Sequence, residues 1–252
     1  SMATALITGA SSGIGRDLAI LLSRRGYNLI LVGRSLSRLE TVLPKLSHRR
    51  VQLLALDLSK EEHCSQLYRQ CRGQVDLLVN NAGFGLFGEF SGTKLDTELN
   101  LLDLNVRAVH ILTKLFLRDM VKQDRGAILN VASVAGYLPG PLMATYYASK
   151  AYLLRLDLAI WKELKKRRSR VQISTLCPGP VDTGFNRRAG VQFAIPGRSS
   201  FWVAAYALEQ LEKGKRVILP GWEAKAVAVL GKIAPDSLLL EGAYRMQRRK
   251  EK

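Results

Sequence analysis

The stretch ATALITGASSGIGRDLAILLSRRG, residues 3–26, joins a short apolar run to a helical pattern through a turn that contains Gly9, Gly13 and Gly15. A turn this tight needs residues without a Cβ atom, because its backbone adopts unusual dihedral angles and a ligand must approach it closely. The N-terminus of the following helix adds unpaired backbone N–H groups, which favour an anion such as a pyrophosphate. The stretch therefore predicts a strand, a phosphate-binding turn and a helix. The alternative is a plain turn without a ligand.

Six further apolar runs follow the first one, at residues 28–33, 51–56, 76–81, 127–133, 171–177 and 216–221. Continuous apolar runs of this length suit strands that are buried on both faces. The segments between them, of about 15 to 40 residues, are long enough for helical crossovers. The pattern predicts an α/β protein with a doubly wound, seven-stranded parallel sheet and helices on both faces. Because such sheets bind ligands beyond the carboxyl ends of their strands, functional residues are expected where the apolar runs end.

Composition bears on the number of domains and on the compartment. The chain has 252 residues, of which 47% are hydrophobic, and no linker-like segment interrupts it, so residues 1–252 are expected to form one domain. No uncharged apolar run approaches the ~20 residues that span a bilayer. The first residues show no secretory signal, and we expect a cytoplasmic protein. Cys64, Cys71 and Cys177 have no metal-binding spacing and are expected to be reduced thiols.

The net charge of +17 raises the question of an acidic partner. The densest basic runs, KELKKRRSR at residues 162–170 and YRMQRRKEK at residues 244–252, do not interleave aromatic and basic residues as a nucleotide-stacking groove does. Solvated basic faces are the favoured interpretation, followed by an acidic ligand or cofactor. Specific binding of DNA or RNA is not expected. The histidines show no metal-ligand spacing either, so no metal site is predicted: His48, His63 and His110.

The end of the second predicted strand indicates which nucleotide the glycine turn binds. An acidic residue about 20 residues after the turn holds the ribose 2′-hydroxyl group of NAD, whereas a cation there accommodates the 2′-phosphate of NADP. Arg34 stands at this place, Arg38 follows one helical turn later, and no carboxylate occurs before Glu40. The pattern favours NADP(H). The alternative is a pair of surface arginines without a ligand.

Five motifs occur in order along the chain: TGASSGIG at residues 8–15, VNNAG at 79–83, NVASVAG at 130–136, TYYASK at 145–150 and LCPGPVDT at 176–183. As an ordered set they resemble the short-chain dehydrogenase/reductase family across nearly the whole chain. The resemblance implies a Rossmann fold, a nicotinamide cofactor and a reaction that interconverts a carbonyl group and an alcohol.

The resemblance also implies a catalytic tetrad of Asn105, Ser133, Tyr146 and Lys150. Ser133 would polarise the substrate carbonyl, and Tyr146 would protonate its oxygen. Lys150 would hold the nicotinamide ribose and favour the tyrosine phenolate, while Asn105 would anchor a water molecule that links Lys150 to solvent. Two other interpretations stay open: Asn105 as a buried structural amide and Ser133 as a strand-end cap. Since the helices that carry Asn105 and Tyr146 form subunit contacts in the family, a homodimer or homotetramer is expected.

Helical spacing does not decide between the two adjacent tyrosines. Tyr146 and Tyr147 precede Lys150 by four and three residues, and both separations place side chains on neighbouring positions of one helix face. The Tyr-x-x-x-Lys pattern of the family selects Tyr146. Tyr147 is then assigned to helix packing or to the pocket wall.

By the same resemblance, a larger set of residues contacts the cofactor. They are Gly9, Ser11, Ser12, Gly13, Ile14, Gly15, Arg34, Arg38, Asp57, Leu58, Asn81, Ala82, Gly83, Tyr146, Lys150, Pro178, Gly179, Val181 and Thr183. Asp57 has an alternative role, as a cap for the helix that follows it.

The substrate site is expected to be apolar. Residues 184–200 correspond to the segment that covers the substrate in the family, and they mix apolar side chains with Arg187 and Arg188. Further apolar wall is expected from four residues between the catalytic serine and tyrosine: Leu138, Pro139, Leu142 and Met143. An apolar pocket with cations at its rim suits a hydrophobic ketone or an acyl thioester. The alternative function is a catalytically silent NADP(H)-binding sensor or scaffold.

Residues 222–252 extend past the last predicted strand. This extension resembles the ends of bacterial reductases of uncertain substrate and, more distantly, of the 3-oxoacyl-CoA reductase and 17β-hydroxysteroid dehydrogenase branch. Residues 224–233 combine an apolar face with Lys225 and Lys232. Packing on the domain or on a second subunit is favoured over capping of the pocket or contact with a membrane surface.

Overall fold

The computed structural model describes residues 2–47, 50–182 and 197–249. Its strands are β1 (Thr4–Thr8), β2 (Asn28–Gly33), β3 (Val51–Ala55), β4 (Leu77–Asn80), β5 (Ala127–Val131), β6 (Gln172–Leu176), β7 (Val181–Asp182), β8 (Arg198–Ser199) and β9 (Val217–Ile218). The main sheet is parallel throughout, in the order β3–β2–β1–β4–β5–β6–β9. Strands β7 and β8 form a separate parallel pair. The predicted fold class, a seven-stranded Rossmann fold, is confirmed.

The helices are α1 (Gly13–Arg24), α2 (Leu36–Glu40), α3 (Glu61–Cys71), α4 (Leu95–Leu102), α5 (Val109–Gln123), α6 (Ala144–Lys166), α7 (Ser200–Glu212), α8 (Trp222–Ile233) and α9 (Asp236–Arg249). A π-helical segment, Asp103–Ala108, links α4 to α5, and a 3-10 turn, Val134–Tyr137, follows β5. Over the described parts of the chain, no helix has the length and apolar character needed to cross a membrane.

The central strands are mostly apolar because both faces of the sheet are covered. Leu6 and Ile7 are adjacent in β1, both are fully buried, and they belong to different cores. Since successive side chains of a strand point to opposite faces, one core lies on each side of the sheet. On the side of Ile7 the core includes Leu18 of α1 and Leu208 of α7. On the side of Leu6 it includes Leu67, Leu112 and Phe116 of α3 and α5.

The strand order also determines where a ligand can bind. From the centre of the sheet, β1, β2 and β3 follow one another toward one edge, and β4, β5, β6 and β9 follow one another toward the other edge. The connections leaving the carboxyl ends of β1 and β4 therefore diverge, which opens a crevice between them.

The last strand is shorter than predicted. The apolar run at residues 216–221 contributes only Val217 and Ile218 to the sheet, where they pair with Thr175 and Leu176. Pro220 lacks the backbone N–H that a longer ladder needs. Of the predicted substrate segment, residues 184–196 lie outside the described part of the chain.

Candidate active site

A cleft of about 820 Å³ lies at the carboxyl ends of the strands, where the sheet order reverses. Most residues predicted to bind the cofactor or to act in catalysis line it: Gly9, Ser11, Ser12, Gly13, Ile14, Arg34, Arg38, Leu58, Asn81, Ala82, Gly83, Ser133, Tyr146, Lys150, Pro178, Gly179 and Val181. Gly15, Asp57 and Asn105 are not among the lining residues. Thr183 lies outside the described residues.

The glycine turn has the backbone geometry that the sequence predicted. Gly9 and Gly13 have φ angles of +61° and +56°, in the left-handed region that favours glycine. The Nδ2 atom of Asn81 donates to the carbonyl oxygen of Gly9 at 3.0 Å, which ties the turn to the end of β4. A Cβ atom on Gly15 would lie 2.3 Å from the same carbonyl oxygen. Gly15 is therefore required for packing of α1 against the turn.

The N-terminus of α1 points its first residues at the cleft. Ser12 is the N-cap residue but makes no side-chain capping hydrogen bond, and no acidic residue occupies the first turn. Ser12, Gly13 and Ile14 all line the cleft. With its backbone N–H groups and positive dipole end directed there, this turn fits the pyrophosphate of a dinucleotide.

Asp57 is engaged in the turn before α3 rather than at the cleft wall. Its Oδ1 accepts from the backbone N–H of Ser59 at 3.1 Å and from the Ser59 hydroxyl at 2.7 Å, and its own N–H donates to Nδ1 of His63 at 2.9 Å. Partial burial alone would raise the pKa of this carboxyl, but the hydrogen bonds from Ser59 and the charge of Arg34 outweigh it and lower the pKa. Asp57 thus stabilises the turn before α3, but it is not the N-cap residue of that helix, which is Lys60.

Three of the four predicted catalytic side chains meet at the other end of the cleft. Ser133 follows β5, and its Oγ caps the 3-10 turn by accepting from the Ala135 N–H at 3.0 Å. Its side chain also shares a hydrogen bond with Tyr146. One helical turn after Tyr146, the ammonium group of Lys150 lies 5.6 Å from the tyrosine ring centroid and donates to the Val131 carbonyl at 3.2 Å. The Ser133 side chain thus both caps the 3-10 turn and forms a hydrogen bond with Tyr146.

Asn105 is fully buried in the π-helical segment and holds the loop after β4. Its Oδ1 accepts from the Phe84 N–H at 3.1 Å, and its Nδ2 donates to the Phe84 carbonyl at 2.9 Å and to Ser149 Oγ at 3.3 Å. A Cβ atom on Gly83 would meet Asn105 Oδ1 at 2.9 Å and Lys150 Nζ at 3.7 Å. The contacts support the structural interpretation of Asn105, and they place it close to the lysine.

Burial dominates the electrostatics of the site. It raises the pKa of Tyr146, and the hydrogen bond with Ser133 offsets only part of this effect. Burial also lowers the pKa of Lys150 to about 8. Burial thus opposes the predicted effect of the lysine cation, and the net change in the Tyr146 pKa is a rise. Tyr146 remains a protonated phenol, the form that can donate a proton.

The C-terminal extension reaches the cleft, as the alternative of a pocket cap had proposed for residues 224–233. Val227 of α8 and Met246 of α9 line the wall. The side chain of Gln247 is completely buried and its Nε2 donates to the Tyr147 hydroxyl at 2.5 Å, while its Oε1 has no partner in the described residues. Burial raises the pKa of Tyr147 to about 12. Tyr147 is thus a wall residue, as expected, and its hydroxyl group is held by Gln247 of α9.

The wall near the catalytic group is mostly apolar. It includes Leu104, Val134, Leu138 and Met143. Leu138 and Met143 were expected there. Pro139 and Leu142 were also expected, but they are not among the lining residues.

Comparison with known proteins identifies the family. A family model described as short chain dehydrogenase matches residues 3–192. The chain belongs to the short-chain dehydrogenase/reductase family. As a member, this short-chain dehydrogenase/reductase is an oxidoreductase with a nicotinamide cofactor.

Two relatives illustrate the range of its similarity. The short-chain dehydrogenase/reductase is 30% identical over 214 residues to an uncharacterized oxidoreductase of Staphylococcus saprophyticus, which covers 82% of this chain and 91% of that protein. It is 35% identical over 178 residues to a very-long-chain 3-oxoacyl-CoA reductase of Phaeosphaeria nodorum, covering 67% of this chain and 52% of that protein.

Solved structures extend the similarity to most of the chain. A short-chain dehydrogenase from Sphingobium yanoikuyae, in complex with NADPH, has a TM-score of 0.84 at 30% identity and covers 92% of this chain and 93% of its own. A bulky-bulky ketone specific alcohol dehydrogenase from Comamonas testosteroni has a TM-score of 0.78 at 26% identity, with 92% and 94% covered.

Proposed function

We propose that this chain is an NADPH-dependent carbonyl reductase that transfers hydride between NADP(H) and a hydrophobic ketone or 3-oxoacyl-type substrate. The observation that carries the proposal is one continuous cleft with two chemically different ends. Arg34 and Arg38 line the nucleotide end, and Ser133, Tyr146 and Lys150 line the other end.

The side chains at the catalytic end have complementary tasks in this proposal. When bound in the cleft, a nicotinamide cofactor would supply the hydride that the carbonyl carbon receives. Ser133 donates a hydrogen bond to the carbonyl oxygen, and Tyr146, as a protonated phenol, gives that oxygen its proton. Lys150, one helical turn after Tyr146, holds the nicotinamide ribose and takes part in replacing the proton. Asn105 positions the loop beside Lys150. It also anchors the water molecule that links Lys150 to solvent.

The preference for NADPH rests on the nucleotide end of the cleft. A guanidinium group binds a phosphate through paired hydrogen bonds, and Arg34 stands where an NAD site carries a carboxylate, with Arg38 one helical turn later. Ser35 lies between the β2 end and α2 and lines the cleft beside them. Cationic and hydroxyl donors at this end of the cleft support a site for a 2′-phosphate.

Replacement of Arg34 tests this preference. Arg34→Asp is expected to weaken NADPH binding by a factor of about ten or more, because a charge-assisted contact to phosphate becomes a repulsion. NADH binding should change far less. Titration of each cofactor by fluorescence measures both constants, and Arg69→Asp, at an exposed position of α3, serves as the matched control. Equal losses for NADPH and NADH would overturn the assignment.

The proposed substrate class rests on the apolar wall formed by Leu104, Leu138, Met143 and Val227. The Comamonas testosteroni structure and the Phaeosphaeria nodorum relative, described as acting on bulky ketones and on very-long-chain 3-oxoacyl-CoA, support a large apolar carbonyl compound. A panel of ketosteroids, diketones, quinones, aldehydes and 3-oxoacyl thioesters, run with each cofactor, tests it. No NADPH oxidation with any of them, despite tight NADPH binding, would instead favour the sensor or scaffold class.

We also propose a homodimer or homotetramer in the cytoplasm. Leu95 and Leu99 expose apolar side chains on α4, which leads into the π-helical segment that carries Asn105, one of the two places expected to form subunit contacts. All three cysteines are free and buried, as suits a reducing compartment. Light scattering coupled to gel filtration measures the subunit number, and a monomer at assay concentrations would contradict the first part of the proposal.

A further inference from the structure

The outer face of α8 is apolar and exposed. Trp222, Ala226, Val229, Leu230 and Ile233 recur at the spacing of one helix face. The exposed fractions of Trp222 and Ile233 are 75% and 74%, and those of Val229 and Leu230 are 55% and 54%. In a helix that only packs on its own domain, this face would be polar. We call these five residues the α8 stripe.

The opposite face of α8 is seated on the domain and leaves the helix no freedom to turn the stripe inward. Ala224 and Ala228 are buried there. A Cβ atom on Gly231 would lie 2.5 Å from the Tyr137 carbonyl oxygen. Because small residues bring the helix this close to the turn after Ser133, the orientation of the α8 stripe is set by packing.

Cations lie beside the α8 stripe. Lys225 and Lys232 project from one flank of the helix, with their ammonium groups 6.0 Å and 5.6 Å from the ring centroids of Tyr206 and Tyr137. The ion pairs found among the described residues include neither lysine. The chain as a whole carries a net charge of +17. A second copy would bring like charges to this surface, whereas an anionic lipid headgroup would bring the opposite charge.

We propose that the α8 stripe binds a membrane surface that contains anionic lipid. The helix would lie in the plane of the interface, with its apolar side chains among the acyl chains near the headgroups and Lys225 and Lys232 at the phosphate level. Trp222 has the amphipathic ring that is enriched at this depth. Val227 of the same helix lines the cleft, so a bound bilayer would lie beside the substrate end, where an apolar carbonyl compound could enter.

Vesicle binding tests the proposal without any measurement of activity. The full chain is mixed with vesicles of phosphatidylcholine alone or of phosphatidylcholine with phosphatidylglycerol, and binding is followed by flotation and by tryptophan fluorescence. We expect flotation with the anionic vesicles, weakened by salt, and a blue shift that Trp222→Phe removes. Val229→Asp/Ile233→Asp should abolish flotation. Lys225→Ala/Lys232→Ala should weaken it about 30-fold, since each basic residue near the surface contributes about 1 kcal/mol.

Controls distinguish lipid binding from self-association and from misfolding. Leu43→Asp, at an exposed leucine far from α8 in sequence, should float like the wild type, and NADPH binding should show that every variant is folded. The proposal is overturned if the wild-type chain does not float with anionic vesicles, or if Val229→Asp/Ile233→Asp floats equally well. A lower molar mass of the double variant in solution, together with no vesicle binding by the wild type, would show that a second copy covers the α8 stripe. That result would also overturn the proposal.

Discussion

At the scale of single residues, two adjacent buried tyrosines differ in what their hydroxyl groups contact. The rings of Tyr146 and Tyr147 meet edge to face, with 6.0 Å between centroids. Tyr146 shares a hydrogen bond with Ser133, whereas the Tyr147 hydroxyl accepts from Gln247. Burial raises the pKa of both phenols. Their surroundings, and not their spacing from Lys150, therefore distinguish the proposed acid from the wall residue.

Paired substitutions test this distinction. Tyr146→Phe should reduce kcat for NADPH oxidation by about 10²-fold to 10⁴-fold, because the proposed proton donor is lost. Tyr147→Phe should retain most of the turnover, since it removes only a contact to Gln247. Steady-state kinetics measure kcat, and fluorescence titration should give nearly unchanged NADPH affinities for both variants. If Tyr147→Phe were the inactive one, the proposed register of the active site would be wrong.

At the scale of elements, a buried polar network joins α6 to the sheet behind the cleft. Asp157 of α6 accepts from Asn130 Nδ2 at 2.9 Å and from Thr175 Oγ1 at 2.8 Å, which links the helix to β5 and β6. Asn130 in turn accepts from Asn80 of β4 at 2.8 Å. Burial raises the pKa of the Asp157 carboxyl to about 7, although both hydrogen bonds oppose this effect. The network thus anchors the helix that carries Tyr146 and Lys150.

The raised pKa of Asp157 predicts a pH dependence of stability. The folded protein keeps this proton up to about pH 7, whereas the unfolded chain loses it near 3.8, so folding binds a proton between these values. The free energy of unfolding should therefore fall as pH rises through that window. Asp157→Asn removes the titration, so its stability relative to the wild type should increase over the same window. Urea unfolding across the window measures both, and a difference independent of pH would contradict the raised pKa.

At the scale of the whole molecule, the C-terminal extension returns to the centre of the fold. Helix α8 packs on the turn that follows Ser133, and α9 places Gln247 against Tyr147, one hundred residues earlier in the chain. The extension therefore touches the surroundings of two proposed catalytic residues. It forms part of the substrate end of the cleft through Val227 and Met246.

Removal of the Gln247 side chain tests whether the C-terminal extension shapes the substrate end of the cleft. Gln247→Ala should raise KM for the carbonyl substrate about threefold to tenfold, because Tyr147 loses the hydrogen bond that orients it. KM for NADPH should stay the same, since the nucleotide end of the cleft is remote from α9. Gln70→Ala, at an exposed glutamine of α3, is the control. An equal increase in both KM values would point to general loosening of the fold instead.

Much of the fold and one half of the site follow from local pattern. The strand runs are predictable because both faces of each central strand are buried, as Leu6 and Ile7 show, so most residues in a run are apolar. The glycine turn is predictable because Gly9 and Gly13 adopt backbone angles that other residues avoid. Arg34 is predictable because it stands at a fixed distance from that turn. Each of these signals lies within a short stretch of chain.

The remaining features depend on contacts between distant stretches. No spacing places Gln247 beside Tyr147 or Met246 in the cleft wall, because a helix far along the chain can pack in many ways. The direction of the shift in the Tyr146 pKa also depends on the tertiary structure. Sequence places a lysine four residues away, which argues for a lower value, whereas only packing reveals that burial raises the Tyr146 pKa and lowers the Lys150 pKa. Burial and long-range contact are properties of the assembled chain, which is why tertiary structure decided them.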